Sequence, residues 1–269
     1  MPASTLRPPI PREHGAWAIL LLPIAIDLAI APSNAPVPTL LGVVAALFGF
    51  LAQGPAVLWL RGRDRRANGA WALFYGVGFV LPVAAAVLGY GRIGLLGFVL
   101  AGALFFALFQ WMVRHGRRDR SLLFEVASSA MLCLGAPMVH VAAHGDLSRG
   151  VIALWLGCTI FFTGGIISVK TWLEAARRKK SFDDETRRAL ALPLVMFHLA
   201  VVAISALTLL VRPLTSALVV VIAVLPALGR ALWTARRLSP TPPSLKRIGF
   251  VELGVSLWFS ALVIASFRL

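Results

Sequence analysis

Nine long apolar stretches, separated by short polar loops, divide this chain along its whole length. Each is 18 to 23 residues long, and about 20 apolar residues in a helix cross the hydrocarbon core of a membrane. A helix satisfies its backbone hydrogen bonds within one segment, as lipid requires, and the strict alternation typical of barrel strands is absent. The pattern therefore predicts an all-α polytopic membrane protein with about nine transmembrane helices. The spans are predicted at residues 15–32, 39–60, 70–89, 94–113, 122–143, 150–172, 190–211, 213–235 and 249–267.

The composition agrees with a chain that is surrounded by lipid. Hydrophobic residues make up 59% of the 269 residues and charged residues 14%, which is more apolar surface than a soluble domain can cover. We expect one transmembrane domain over residues 1–269, in contact with membrane lipid. Cys133 and Cys158 lie inside apolar stretches, and the sequence has no CxxC motif or Cys/His cluster, so no metal site is predicted.

The charges predict the orientation of the chain. The formal net charge is +15, and the positive residues cluster in alternate loops. If the N-terminus is cytoplasmic, the clusters within 61–66, 114–120, 177–188 and 236–247 all fall on the cytoplasmic side, as the positive-inside rule requires. Because these charges lie in loops between apolar spans, we attribute them to orientation and to contact with anionic headgroups. We therefore expect no nucleic-acid partner.

The opening motif, Pro11-Arg-Glu-His-Gly-Ala-Trp17, places an acid, a base and an imidazole where the chain enters the first span. One interpretation is that Arg12, Glu13 and His14 contact a substrate. The other is that the motif anchors the chain at the interface, with Trp17 in the aromatic belt. The residues alone leave both interpretations open.

Charged side chains of both signs recur within about two turns of the inner ends of the spans. This predicts a polar pocket that opens to the cytoplasm, and the alternative is a set of snorkelling side chains and interhelical ion pairs. The candidate catalytic acids and bases are Glu13, Glu125, Glu174 and Glu252, with His14 as a proton shuttle. The candidate ligand-binding residues are Arg12, Trp17, Gln53, Arg61, Asp64, Gln110, Arg114, Lys170 and Arg247.

Two of these candidates, Lys170 and Glu174, are spaced i, i+4, so they share one helix face and could instead form a local ion pair. The amides Gln53 and Gln110 are expected to be buried within their spans. Gly164 and Gly165 are interpreted as sites of close helix packing.

The opening motif, followed by an apolar span, resembles the YwiC-like family of bacterial membrane proteins. The hydrophobic profile agrees over essentially the whole chain. The resemblance implies an integral protein of the bacterial cytoplasmic (inner) membrane, and it implies no particular activity.

A more distant resemblance is to the UbiA superfamily of intramembrane prenyltransferases, which also have nine spans and large cytoplasmic loops after spans two and six. It implies a helical ring around a lipid-open cavity, with aspartate-rich motifs that hold magnesium and a prenyl diphosphate. Here the first loop, residues 61–68, has Asp64 as its only acid, and the second region has Glu174 and then Asp183-Asp184-Glu185. Neither has the aspartate spacing of the superfamily. Magnesium binding is therefore implied by the resemblance alone.

The cationic residues near these loops provide an alternative to a metal. Arginine and lysine bind phosphate directly through charge-assisted hydrogen bonds. Arg61, Arg63, Arg65, Arg114 and Lys170 could hold an anionic lipid or polyprenyl head in this way.

Taken together, these features predict a protein that binds an isoprenoid or quinone-like amphipathic ligand in a cavity open to the cytoplasmic side. If the cavity also catalyses transfer, the protein is a divergent prenyltransferase-like enzyme. One alternative is a proton- or ion-coupled transporter or permease that uses the intramembrane Asp27, His140 and His198. Another is a non-catalytic partner of a membrane complex that docks through the basic loops.

Overall fold

The computed structural model describes residues 9–11, 14–114, 122–178 and 181–269, and all the regular secondary structure in these ranges is helical. Eight of the described segments are long and apolar enough to cross a membrane, and Gly15–Ile30 is a shorter apolar helix. The prediction of an all-α polytopic protein with about nine spans is therefore confirmed. The helices are α1 (His14–Ile30), α2 (Pro36–Leu60), α3 (Arg65–Tyr90), α4 (Leu95–Arg114), α5 (Leu122–Cys133), α6 (Gly135–His144), α7 (Arg149–Arg177), α8 (Asp184–Ala206), α9 (Leu214–Arg237) and α10 (Leu245–Ser266).

The fifth predicted span is built from two helices, α5 and α6, which meet at Leu134. Pro137 explains the break, because its ring has no N–H to donate and would clash with the carbonyl of Cys133, four residues earlier. Gly135 follows the break directly, and a Cβ at this position would lie 2.9 Å from a methyl carbon of Leu20. The missing side chain therefore lets α6 pack closely on α1.

Several helices extend beyond the predicted spans at their polar ends. α7 continues to Arg177 and α8 begins at Asp184, whereas the corresponding spans were predicted to end at 172 and begin at 190. Hydropathy locates only the part of a helix that lies in lipid. The charged turns of these two helices are therefore absent from a prediction based on apolar length.

The packing divides the chain into two compact units. The first contains the described residues within 1–124 and 131–155. In it α2 packs against α3 and α6, and α1 packs against α6. The approach of α2 to α6 is close, because a Cβ at Gly42 would lie 2.6 Å from that of Ala142. The buried core of this unit includes Leu20, Ala45 and Val139.

The second unit contains residues 125–130 and 156–269. In it α9 packs against both α8 and α10. Phe161 of α7 stacks on Phe259 of α10, with ring centroids 3.9 Å apart. A smaller buried cluster near the polar ends of α7, α9 and α10 consists of Trp172, Ala175, Leu238 and Ile248.

Asp183 caps the N-terminus of α8, since its carboxylate accepts a hydrogen bond of 2.8 Å from the backbone N–H of Thr186. This bond holds the pKa of Asp183 below its ordinary value of 3.8. The cap therefore stabilises the helix end above that pH and is lost as the pH falls through the lower folded-state pKa.

We expect the protection of the backbone amides in the first turn of α8, measured as the exchange rate relative to the intrinsic rate at each pH, to fall at acid pH in the wild type. Asp183→Asn should remove this acid-dependent step, because asparagine keeps the acceptor oxygen without titrating. Glu185→Gln, a change of an exposed acid in the same turn, is the matched control and should leave the step in place. An unchanged acid step in Asp183→Asn would assign it to another group.

Candidate functional site

Three ionisable side chains from different helices meet inside the second unit. Arg230 of α9 forms an ion pair through Nη1 with Oε2 of Glu252 of α10. Its Nη2 donates to Nε2 of His198 of α8 over 2.9 Å, and Nδ1 of His198 lies 2.8 Å from the carbonyl oxygen of Leu194. A guanidinium can only donate, so Nε2 must accept and Nδ1–H must donate to the carbonyl. The contacts thus define a neutral imidazole.

This Glu252–Arg230–His198 network is buried but not fully paired. Arg230 is 8% exposed and His198 is 3% exposed. Nε of Arg230 and Oε1 of Glu252 are both buried and have no hydrogen-bond partner among the described residues. An unpaired polar atom in an apolar interior costs roughly 1–3 kcal/mol, and more when the group is charged. The network therefore has one donor and one acceptor available for a ligand or water.

A partly open cavity of about 30 Å³ lies beside the network, bordered by the polar ends of α7, α9 and α10. Arg230 and Glu252 both line it, and Arg247 adds a second cation. Arg247 is exposed, whereas Arg230 is buried. The other lining residues are Ser168, Trp172, Trp233, Thr234, Pro243, Ile248 and Val251.

Two adjacent glycines of α7 make room for the network. A Cβ at Gly164 would lie 2.7 Å from Nε2 of His198, and a Cβ at Gly165 would lie 2.9 Å from Oε2 of Glu252. Both distances are shorter than real Cβ contacts. The glycine pair was interpreted from sequence as a site of helix packing, and here the space is taken by polar side chains.

The remaining candidates of the second unit form ion pairs nearer the surface. Nζ of Lys170 lies 3.1 Å from Oε2 of Glu125, and both side chains are about one-third exposed or less. Glu174 accepts from Nε of Arg178 over 2.9 Å and lies near Arg177 on its own helix. The structure thus brings Lys170 to Glu125, whereas Glu252 and Arg247 share the cavity.

In the first unit the opening motif is tied to the first helix. Nε1–H of Trp17 donates to the carbonyl of Pro11 over 3.1 Å, and its ring meets Phe50 edge to face at 4.9 Å. Arg12 and Glu13 lie outside the described residues. His14 and Arg114 are placed as helical residues, and their side chains lie outside the description. The roles predicted for these four residues stay predictions.

The other candidates of the first unit are spread along its helices. Arg61 is exposed and lies over the ring of Phe109, 5.9 Å from its centroid. Gln110 has a buried Nε2 without a partner among the described residues, as expected for a buried amide. The same expectation for Gln53 is wrong, because Gln53 is exposed. Its position inside an apolar span does not determine which face of α2 it occupies.

Asp64 and Asp183, in the loops after α2 and α7, each cap the helix that follows. Asp64 is exposed, adopts a left-handed backbone with φ of 37°, and caps α3 by accepting from the N–H of Ala67. Asp183 caps α8 in the same way. Among the described residues, no three His, Cys, Asp or Glu side chains form a group that could hold a metal ion. This donor set does not fit magnesium, which prefers several oxygen ligands in an octahedron.

Sequence analysis singled out His198 as an intramembrane group but placed neither it nor Arg230 in the binding site. The signal that could have done so is the distance of each residue from the polar end of its helix. Arg230 lies seven residues before the end of α9, and Glu252 lies seven residues after the start of α10. At 1.5 Å per residue, both lie about 10 Å from the same polar ends of two consecutive helices.

These helices and the buried charged network define an integral α-helical membrane protein of the multi-pass type. Residues 10–140 match the family described as "YwiC-like protein". The chain is also similar to YwiC of Bacillus subtilis (strain 168), described as an uncharacterized protein, with 26% identity over 174 residues that make up 64% of this chain and 70% of that one. The resemblance predicted from the opening motif is thereby supported. No solved structure matches the chain.

Proposed function

We propose that the protein binds the polar head of an amphipathic ligand, isoprenoid or quinone-like, in the cavity beside the Glu252–Arg230–His198 network. One observation carries this proposal. A buried guanidinium nitrogen and a buried carboxylate oxygen, both unpartnered among the described residues, belong to two side chains that line one cavity. A ligand that pairs with both atoms would recover the free energy lost by burying them.

The available atoms restrict the chemistry of the head. Nε of Arg230 can only donate a hydrogen bond, and an ionised Glu252 can only accept one. The head therefore needs an acceptor beside a donor, as in a carbonyl next to a hydroxyl or in a partly protonated phosphate. Arg230, Arg247 and Glu252 together leave one excess positive charge, which favours an anionic head.

The size of the cavity decides which part of the ligand it receives. A volume of about 30 Å³ is far below the roughly 300–1,000 Å³ of pockets that enclose a whole small ligand. It therefore takes the polar edge of a head, while the ring or chain lies outside it on apolar surface. Trp233 and Val251, which line the cavity and are each 44% exposed, provide such a surface.

The charge pattern of the sequence supports a position for this cavity at the cytoplasmic face of the bacterial inner membrane. The C-terminal ends of α7 and α9 and the N-terminal end of α10 border it. In the sequence these helix ends adjoin the cationic residues within 177–188 and 236–247. By the positive-inside rule these residues are cytoplasmic, and the N-terminus is then cytoplasmic as well.

Titration calorimetry on the purified full chain in detergent tests this proposal, with a short-chain quinone analogue and geranyl diphosphate as the two probes. Arg247→Ala should weaken binding of the preferred probe by roughly 10- to 150-fold, because a charge-assisted hydrogen bond contributes about 1.5–3 kcal/mol. Lys246→Ala is the matched control, since Lys246 is an exposed neighbouring cation that does not line the cavity. No binding of either probe, or an equal loss in both variants, would contradict the proposal.

The alternative function, proton- or ion-coupled transport, has less support in the second unit. A proton route through His198 needs a ring nitrogen that can exchange its proton. Both nitrogens of His198 are occupied, one by the guanidinium of Arg230 and the other by the carbonyl of Leu194. The proposal for Glu252 is therefore ligand binding.

A further inference from the structure

A second buried pair of ionisable groups lies in the first unit, apart from the cavity. Oδ1 of Asp27, in α1, lies 3.0 Å from Nδ1 of His140, in α6. Asp27 is 2% exposed and His140 is 5% exposed. The side chains around them on the same helices are apolar and include Ile24, Val139 and Val141. Two titratable groups are thus in direct contact inside a packed apolar core.

The imidazole of His144 lies between this pair and the exposed end of α6. His144, at the C-terminal end of α6, is exposed, and its ring stacks on that of His140 with centroids 4.4 Å apart. Nδ1 of His144 lies 3.2 Å from the carbonyl oxygen of His140, which fixes the ring in this place. The buried imidazole therefore has an imidazole between itself and the exposed end of the helix.

The elements packed around the pair contribute few other charges. α1, α2 and α4 pack against α6, and α2 contains no ionisable residue. In α1 and α4 the remaining ionisable residues, His14 and Arg114, stand at the other ends of their helices. Arg92, in the turn between α3 and α4, donates from Nη2 to the carbonyl of Ala143 over 3.1 Å and is the neighbouring cation.

Electrostatics then determines how many protons the pair holds. A carboxylate beside a neutral imidazole would leave an uncompensated negative charge in an apolar core, which is strongly unfavourable. One added proton gives either an imidazolium–carboxylate pair or two neutral groups, and both are net neutral. We propose that Asp27 and His140 form a proton-binding site that holds one proton and exchanges it with the solution beside His144. This site is independent of the ligand proposed for the second unit.

The exchange needs no partner other than water. A hydronium ion donates its proton to an imidazole nitrogen, which forms one N–H bond and releases one water molecule. In the reverse step, water or hydroxide takes the proton back. No group is oxidised or reduced.

Nitrogen NMR of the full chain labelled at its histidines tests this proposal, with the His140 signal assigned by its loss in His140→Asn. Asp27→Asn should shift the pH range over which the His140 nitrogen signal changes, because it removes the adjacent negative charge while an amide oxygen still accepts from Nδ1–H. Asp146→Asn, which changes an exposed acid two residues beyond His144, is the control and should have no such effect. The proposal is overturned if Asp27→Asn leaves the titration of His140 unchanged, or if the two variants shift it equally.

A measurement on the wild type covers the case in which Asp27→Asn does not fold. The infrared carboxyl bands should change over the same pH range as the His140 nitrogen signal, because the two groups share one proton. Carboxyl bands that do not respond to pH in that range would contradict a shared site.

Discussion

Replacing Arg230 with methionine should lower the free energy of unfolding by about 3 kcal/mol or more. The substitution removes the charge that compensates Glu252 and the donor that satisfies Nε2 of His198. The Arg230 side chain is 6% exposed and that of Glu252 is 19% exposed, so water can replace the lost partner only in part. Breaking one side of a buried pair is costly because the other charge stays behind.

A double variant separates the cost of the orphaned charge from the cost of lost packing. Arg230→Met combined with Glu252→Gln leaves no buried charge in the network and should recover most of the stability. Equilibrium unfolding in mixed detergent micelles measures the two single variants and the double variant. If the double variant is as unstable as the sum of the single variants, the two side chains do not interact energetically, and the ion pair is not what stabilises this region.

This stability test is separate from the binding test. Arg230 and Glu252 hold three helices together, so a loss of ligand binding on their replacement would be ambiguous. Arg247 is exposed at the cavity, and its replacement should change binding without changing the unfolding free energy by more than about 0.5 kcal/mol.

The spans of this protein could be predicted because lipid imposes a simple rule on sequence. A helix that crosses the membrane must be apolar over about 20 residues, and this length signal does not depend on tertiary contacts. The break at Leu134 was missed because Gly135 and Pro137 are compatible with a continuous transmembrane helix as well as with a broken one. Only the packing of Gly135 against Leu20 shows the close approach there.

The contacts of the candidate site depended on packing that sequence spacing does not encode. Lys170 shares a helix face with Glu174, yet Glu125 from α5 lies 3.1 Å from its amine. Glu252 lines the cavity, whereas its buried partner Arg230 was not among the residues predicted for the site. The charges of a transmembrane helix can be assigned a depth from sequence, but the neighbouring helix that they face is decided by the fold.

Gly164→Ala should destabilise the protein by about 1–3 kcal/mol, although alanine is the better helix former. A Cβ at this position would lie 2.7 Å from Nε2 of His198, and ordinary contact begins at 3.4 Å. The imidazole would have to retreat by about 0.7 Å. Its hydrogen bond to Nη2 of Arg230, now 2.9 Å, would then exceed the usual limit of about 3.2 Å.

Gly157→Ala is the matched control, because it lies on the same helix and a Cβ there would meet nothing within 4 Å. This variant should gain up to about 1 kcal/mol from the lower conformational entropy of alanine in the unfolded chain. Unfolding free energies of the two variants give the comparison, and the nitrogen NMR signal of His198 should move only in Gly164→Ala. If both variants are equally stable and the His198 signal is unchanged, the ring has room to shift, and Gly164 is not required for the contact between His198 and Arg230.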